Sequence, residues 1–586
     1  MLKCMLHEPA YRWGHFLPEK SGLAAGWVCH PGSFSDCQPI WNERRDVCLL
    51  FAGEHYADNG AWEQIKSAAP GGAADDASGL VRLYEAHGMR FFEMLNGTFS
   101  GVLLDLREEK IFLFNDRHGL NRVYYHEGAG RLFFSSEAKS LLKVLPQTRQ
   151  FDEQSLGEWL SCGCALQNRS LFRGISLLPP ASVWIFSRDG KVKKQTYFDS
   201  SAWESQPALS PAEFSDQLEH TFPRVLMRYT KGSQPLGMSL TGGLDGRMIM
   251  AWARPDRGQL PCYTFNGSYR ECADLRLARR IAAACGQPHE TITVGHQFLE
   301  QFPQLAEQSV YITDGAMDVT GAVELYVNRL ARHIAPVRLT GNYGSEILRR
   351  HVAFKPRALP PEMLAPDFSP RVAAAVRAYS EASAGNRLSF IAAKQVPWHH
   401  YARFAIEQSQ ITMRSPFLDN DLVALAYQAP PLLAASLKPS LQLIAQGNPL
   451  LGRIPTDRGI TFPADRMSNR VHRSLQEFLA KAEYAYDYGM PDWLARMDHC
   501  LAPFRLEKLF LGRQKFYHFR TWYRHQLAPF VRQVLLDPRS RSRFWVNRPG
   551  LEPMVQAHLR GAANHTLAIH KLLSLELLQR VLLESA

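Results

Sequence analysis

Along the first 205 residues, apolar positions come in short runs, at 47–51, 99–105, 110–114 and 183–186, separated by Gly, Asp and Pro. Runs of this length bounded by turn formers predict strands, so this part reads as packed sheets. A Gly/Ala-rich interruption at 70–74 precedes helical spacing from about Ala77 to His87. From about residue 211 the period changes. Amphipathic spacing over 211–229 leads into an apolar run at 236–240, and strand-like runs at 262–266, 291–294 and 337–340 alternate with helical stretches. Repeated βα units predict a parallel sheet whose ligands sit at the carboxyl ends of its strands. The segments 356–395 and 465–586 have helical spacing. A chain of 586 residues exceeds one ordinary core, and the pattern divides it into 1–205 and 211–586, the latter with a sheet core at about 230–350 and a helical part at about 356–586.

Three polar stretches interrupt the second unit. The run at 236–240 breaks into Thr241, Gly242, Gly243, Leu244 and Asp245 before resuming as a helix-like segment. Strand, glycine loop, helix is an arrangement that admits an anion: Gly242 and Gly243 remove side chains from its path, and a helix start offers unpaired N–H groups. Ser239 and Thr241 add hydroxyls, and Asp245 is suited to the Mg²⁺ that travels with a polyphosphate. Glycine pairs also occur in plain tight turns, and the residues alone leave both readings open. The other stretches are the loop 341–346 after the strand at 337–340, and 452–460, which carries Arg453 and Arg458.

Composition narrows the class. Hydrophobic content of 46% with 21% charged residues is that of an ordinary globular protein. The net charge of +11 is spread along the chain without a run of five Lys/Arg, which favours anionic ligands in general over nucleic acid. The basic and aromatic residues at 516–525 read as a core edge with a solvated face. Ten cysteines without a C-x-x-C pair read as reduced thiols. With no apolar stretch of about 18 residues and no signal-like core at the first residues, the expectation is a cytoplasmic protein with no membrane partner.

The loop at 239–247 resembles the S-G-G-L-D-S pyrophosphate loop of the N-type ATP pyrophosphatases and, within them, of the asparagine synthetase family. Thr241 stands at the first serine and keeps its hydroxyl; Gly246 stands at the last and loses it. In the first unit, 95–99, 115–120, 123–125 and 133–139 resemble, in order, the L-N-G-x-F, D-R-x-G, L-Y-Y and F-x-S-E-x-K-A blocks of the class II glutamine amidotransferase domain that precedes the synthetase domain in that family. The resemblance implies an N-terminal-nucleophile type αββα sandwich followed by a parallel-sheet, PP-loop synthetase domain with a helical C-terminal part, and it implies ATP and Mg²⁺. It places Asn266 and Thr264 at a strand end that recognises adenine, and Thr340 and Gly341 at the start of the S-G-E-G-S-D-E loop. Matched without a gap, Ser345 falls at the metal-binding aspartate of that loop. With one inserted residue, Tyr343 takes the glutamate position, where β-lactam synthetases carry a tyrosine as base, and Glu346 takes the metal position beside Asp245; the second register suits Mg²⁺ better, because Mg²⁺ prefers anionic oxygens. Residues 413–423 resemble the R-x-P-F-L-D-x-x-L-V block. No lysine occupies the family's phosphate-binding position near 452–460, so Arg458 or Arg453 is the expected substitute.

The glutaminase chemistry of the first unit is degraded. The family's nucleophile is a cysteine directly after the initiator Met, activated by its own α-amine. Here residue 2 is Leu2 and the nearest thiol is Cys4, Ala52 replaces the asparagine of N-G-E-I-Y-N, the arginine block has no counterpart, and only Asp76 remains of the α-amine site. The resemblance therefore implies an ATP-dependent, AMP-forming carbon–nitrogen ligase acting on a small-molecule or peptide carboxylate and an amine or ammonia, with a homodimer left open as its assembly. Two alternatives remain open at this stage. One is a pseudoenzyme that keeps the fold without the chemistry, and the other an ordinary glutamine-hydrolysing asparagine synthase.

Overall fold

The computed structural model describes the chain apart from residues 20, 58–75, 358, 361–362, 463–473, 475–477, 490–510, 515 and 585–586. The Gly/Ala-rich interruption at 70–74 lies outside the described residues.

The first unit contains β1 (Arg12–Phe16), β2 (Ala25–Cys29), β3 (Ile40–Trp41), β4 (Val47–His55), β5 (Gly97–Asp105), β6 (Lys110–Asn115), β7 (Tyr124–Gly128), β8 (Arg131–Ser135), β9 (Ser176–Leu177), β10 (Ser182–Ser187) and β11 (Val192–Thr196). A six-stranded antiparallel sheet has the order β11-β10-β6-β5-β4-β3, a three-stranded sheet the order β8-β7-β9, and β1 and β2 form a separate ribbon. The alternation of strand side chains builds the layers. On β5 and β6, Leu103, Phe112 and Phe114 face the helices Leu80–His87 and Arg90–Met94 through Leu80, Tyr84, Phe91 and Phe92. On the opposite faces, Val102 and Leu113 pack with Val123, Trp184 and Tyr125, so the two sheets meet there. Beyond the smaller sheet, Tyr124 joins Leu141 and Leu156 of the helices Ala138–Val144 and Glu153–Cys162. The result is the helix–sheet–sheet–helix sandwich that the sequence led us to expect.

A break in composition marks the second unit. Ser210 and Glu213 form a capping box with Pro211 at the first helical position, starting the helix Pro211–Tyr229. The strands β12 (Leu236–Ser239), β13 (Cys262–Gly267), β14 (His289–Val294), β15 (Val337–Leu339) and β16 (Thr412–Arg414) follow, all parallel to their neighbours, in the order β14-β13-β12-β15-β16. Strand order reverses between β12 and β15, and the crevice at the carboxyl ends of two such strands is where open α/β sheets bind ligands. Two details depart from the periodicity. β16 is only three residues long, too short to show a period, and it falls within the R-x-P-F-L-D-like block. Residues 516–518 are not helical: Phe516 crosses Gly267 so closely that a Cβ there would lie 2.5 Å from the Phe516 carbonyl oxygen. The aromatic residues that follow, Phe519 and Trp522, are buried against Phe298 and Phe302.

The two units are joined by sequence blocks that recognise each other. Asn96, of the L-N-G-like block, donates to Asp419 (2.7 Å) and accepts from the Asn420 backbone (3.0 Å) of the R-x-P-F-L-D-like block. Arg228 holds the same Asp419 carboxylate at 3.0 Å. Glu54 of β4 is gripped by the Arg414 guanidinium of β16 at 2.6 and 2.9 Å and by the Tyr56 hydroxyl. Asp314 accepts from the Ala138 and Lys139 backbone N–H groups, capping a helix of the other unit.

Glu54 and Arg414 are both buried, and removal of one partner of such a pair strands a charge at a cost of about 3–5 kcal/mol. Glu54→Gln is therefore expected to lower the thermal unfolding midpoint by several degrees. Glu54→Leu combined with Arg414→Met is expected to lose less than the sum of the single changes, as measured by calorimetry.

Candidate active site

At the reversal between β12 and β15 lies a cavity of about 350 Å³ bordered by Ser239, Thr241, Gly243, Asp245, Thr340, Gly341, Tyr343, Ser345 and Glu346. Close backbone contact brings its two loops together. A Cβ on Gly341 would lie 2.5 Å from the Gly246 nitrogen, and one on Gly344 2.5 Å from Asp245 Cγ, so the second loop must present glycine to the first loop's backbone at one point and to the Asp245 carboxylate at the other. Tyr343 takes a left-handed conformation (φ 70°) to turn the chain between them and to start the short helix Gly344–Arg349. Ser345 Oγ donates to Glu346 Oε2 at 2.7 Å, and His400 Nε2 lies 3.6 Å from Glu346 Oε1.

The first loop is braced from behind. The Gly242 N–H donates to Asp274 Oδ1 (2.7 Å), and the Gly242 carbonyl accepts from Arg247 Nη2 (3.0 Å) and the Asp457 N–H (3.2 Å). Arg247, almost wholly buried, also donates to the carbonyls of Leu451, Ile454 and Pro455 and so ties the glycine loop to the third polar stretch. A Cβ on Gly246 would lie 3.3 Å from Met238 Cε, tight for any side chain at the position where the resembled loop has serine.

Two of the residues singled out in the sequence are not among those that line the cavity. The Asn266 side chain is spent on its own turn, accepting from the Cys272 N–H (3.0 Å) and donating to the Gly267 carbonyl (2.8 Å), while Thr264 and Phe265 border the cavity instead. Arg458 is exposed on the turn 456–459; that turn docks on the glycine loop through Asp457, but the Arg458 side chain is not among the residues that line the cavity. Arg453 is likewise exposed.

Other charged groups at the site were not singled out from the sequence. Asp245 Oδ2 pairs with Arg349 Nη2 at 2.7 Å, and the far wall is a chain of charges in which Arg403 meets Glu324 and Glu407, and Arg338 meets Glu407. Arg349 stands three positions after Glu346 on one helix face, and Arg403 and Glu407 are four apart, spacings that point to contact once the helices are known. Nothing in the linear pattern connects them to β12.

These surroundings set protonation. Burial, with Glu407 and Glu346 nearby, pushes the Tyr343 phenol well above its ordinary range, so it keeps its proton at neutral pH. Burial lowers His400 to about 4, leaving it neutral. Burial also raises Asp245, with Arg349 opposing and Glu346 and Asp457 adding to the rise. Asp245 Oδ1 is buried and has no hydrogen-bond partner. Among the described residues no group of three or more His, Cys, Asp or Glu is poised for a metal. Two carboxylates with one free oxygen fit a Mg²⁺ that takes its remaining ligands from phosphate and water.

Comparison with known proteins agrees with this architecture. The glutamine amidotransferase domain family matches residues 32–198, and the asparagine synthase family matches residues 217–440. The chain belongs to the asparagine synthetase superfamily. Among its relatives, "Asparagine synthetase [glutamine-hydrolyzing] 3" of Arabidopsis thaliana is 24% identical over 49% of this chain and 47% of its own length. "Asparagine synthetase [glutamine-hydrolyzing] 2" of the same plant is 26% identical over 48% and 46%. "Asparagine synthetase [glutamine-hydrolyzing] 1" of Bacillus subtilis is 20% identical over 53% and 48%. The chain thus spans about half the length of the curated relatives it matches. Among the described residues, no helix of this superfamily member is long and apolar enough to cross a membrane.

Asp274 yields a pH-dependent prediction. Burial and the nearby Asp457 raise it to about 6, against the Gly242 N–H that favours its charge. A carboxyl raised on folding supports the fold below its unfolded value near 4, and that support is lost as pH rises through about 6. Asp274→Asn keeps an acceptor for Gly242 and is expected to raise the unfolding midpoint at pH 7–8, with the gain vanishing below about pH 4 in a series of thermal melts.

Proposed function

We propose that the protein is an ATP-dependent, AMP-forming ligase that adenylates a carboxylate and passes the acyl group to an amine. The observation that carries this reading is the packing of Gly341 and Gly344 onto Asp245, which brings a glycine loop, a helix start and two carboxylates to one cavity at the sheet's reversal point. In this reading the loop 241–243 and the start of the helix Asp245–Ala253 receive the polyphosphate. Asp245 Oδ1 and Glu346 hold Mg²⁺, which would offset charge on the departing pyrophosphate. Thr264, Phe265 and Phe516 border the cavity, and the two phenylalanines offer an aromatic surface to a base. Tyr343, protonated at rest between two carboxylates, is a proton relay for the amine step, handing its proton on as it takes one from the nucleophile.

A second cavity bears on the source of the amine. About 170 Å³ in volume, it lies between the two units and is bordered by His7, His30, Ala52, Glu54 and Arg122 on one side. The helix Tyr401–Gln408 forms its other wall through Tyr401, Phe404, Ala405 and Gln408, while Arg403 and Glu407 of the same helix border the first cavity. Helical spacing thus turns one helix into a partition. Glu54, committed to Arg414 and Tyr56, is not free for an amide substrate, and Met5 rather than Cys4 borders the space. These features support an amidotransferase unit without glutaminase activity and an amine that comes from solution or from the substrate itself.

Three measurements test the reading. With Mg²⁺ present, Asp245→Asn is expected to weaken ATP binding at least tenfold by calorimetry; equal affinity for both proteins would remove the nucleotide site. In a panel of carboxylates, release of pyrophosphate and AMP is expected from the wild type, to be abolished by Glu346→Gln, and to persist in Tyr343→Phe while amide formation slows. Damage by Ser345→Ala with a silent Glu346→Gln would instead assign the metal position to Ser345. Glutamine is expected to yield no glutamate with or without ATP, and turnover that disappears in Cys4→Ala would refute the inactive amidotransferase unit.

A further inference from the structure

Asp245, the first residue of its helix and the group at which both loops converge, already has a cation on it. Arg349 Nη2 lies 2.7 Å from Asp245 Oδ2, and Arg349 Nη1 donates to Ser440 Oγ at 3.2 Å, so the guanidinium is held at both ends and is only 12% exposed. Gly344 covers the other side of the carboxylate, where a Cβ would lie 2.6 Å from Oδ1. Between these two contacts the carboxylate cannot rotate. Oδ2 is taken, and Oδ1 remains buried and unpartnered.

We propose that Arg349 is a positioning residue for the metal site, fixing Asp245 with Oδ1 as its unpartnered oxygen and cancelling enough charge that a divalent cation enters only together with a polyphosphate. The inference rests on the reading of this cavity as a Mg–nucleotide site and adds the order in which the site fills. Glu346 and Asp245 alone would form a dianionic pair able to attract a bare divalent ion. With the guanidinium in contact the pair carries one net negative charge, and the nucleotide's phosphates must restore the attraction. The same contact holds the carboxylate in its ligating orientation before nucleotide arrives, so less freedom is lost on binding. Arginine suits the role because it remains charged at any working pH.

The test uses Mn²⁺ as the probe, read by electron paramagnetic resonance on the intact protein without nucleotide, and does not depend on turnover. Wild type is expected to bind weakly; Arg349→Met and Arg349→Gln are each expected to bind at least tenfold more tightly, and Arg349→Lys, which keeps the charge, to resemble wild type. Melting curves establish which variants are folded. The proposal is overturned if either folded neutral variant binds Mn²⁺ no more tightly than wild type, or if Arg349→Lys behaves like Arg349→Met. Failure of the wild type to bind ATP would sink the nucleotide reading separately, and the Mn²⁺ comparison would still decide the role of Arg349.

Discussion

The close approach of two backbones at the reversal of the parallel sheet governs the rest of this molecule. β12 and β15 are neighbours although about a hundred residues separate them, and the loops that leave them touch through Gly341, Gly344, Asp245 and Gly246 at distances no side chain could share. Because the loops touch, Asp245 is buried against the second loop and Glu346 is held near it. Because Asp245 is buried, its charge is costly and draws a guanidinium. The strain of Tyr343 at positive φ is offset by the helix it starts and by its ring's edge-on contact with His400.

The same logic operates at the larger scale. The amidotransferase-like unit packs against the second one: Asn96, Glu54 and Lys139 bond to Asp419, Arg414 and Asp314, so the blocks that resemble catalytic-domain signatures contribute to the seam between units. The seam runs along β16, which pairs with β15, and the helix Tyr401–Gln408 that precedes β16 shapes both cavities. Loss of one unit would therefore expose the back of the other's site.

Much of this was legible in the sequence because it depends on local pattern. Short apolar runs marked the strands β4, β5, β6 and β10 of the larger sheet in the first unit, βα alternation specified a parallel sheet, and Gly-Gly-x-Asp after a strand marked the cavity's first loop. Spacing also held the second loop's ambiguity, since Tyr343, Ser345 and Glu346 all border the cavity and only the required glycine at Gly344 shows which position packs on Asp245.

What only the tertiary structure decided is which distant groups line that cavity or pair with the groups that do. Asp274, Arg349, Arg403 and Glu407 carry no local mark of function, since charged residues on helices are usually solvated. The Asn266 side chain bonds within its own turn and the Arg458 side chain is exposed, so neither lines the cavity. Periodicity is written in neighbours three or four residues apart, and a sequence can therefore specify its elements. The charge environment of a buried carboxylate depends on residues more than a hundred positions away, and only the packing of those elements brings them together.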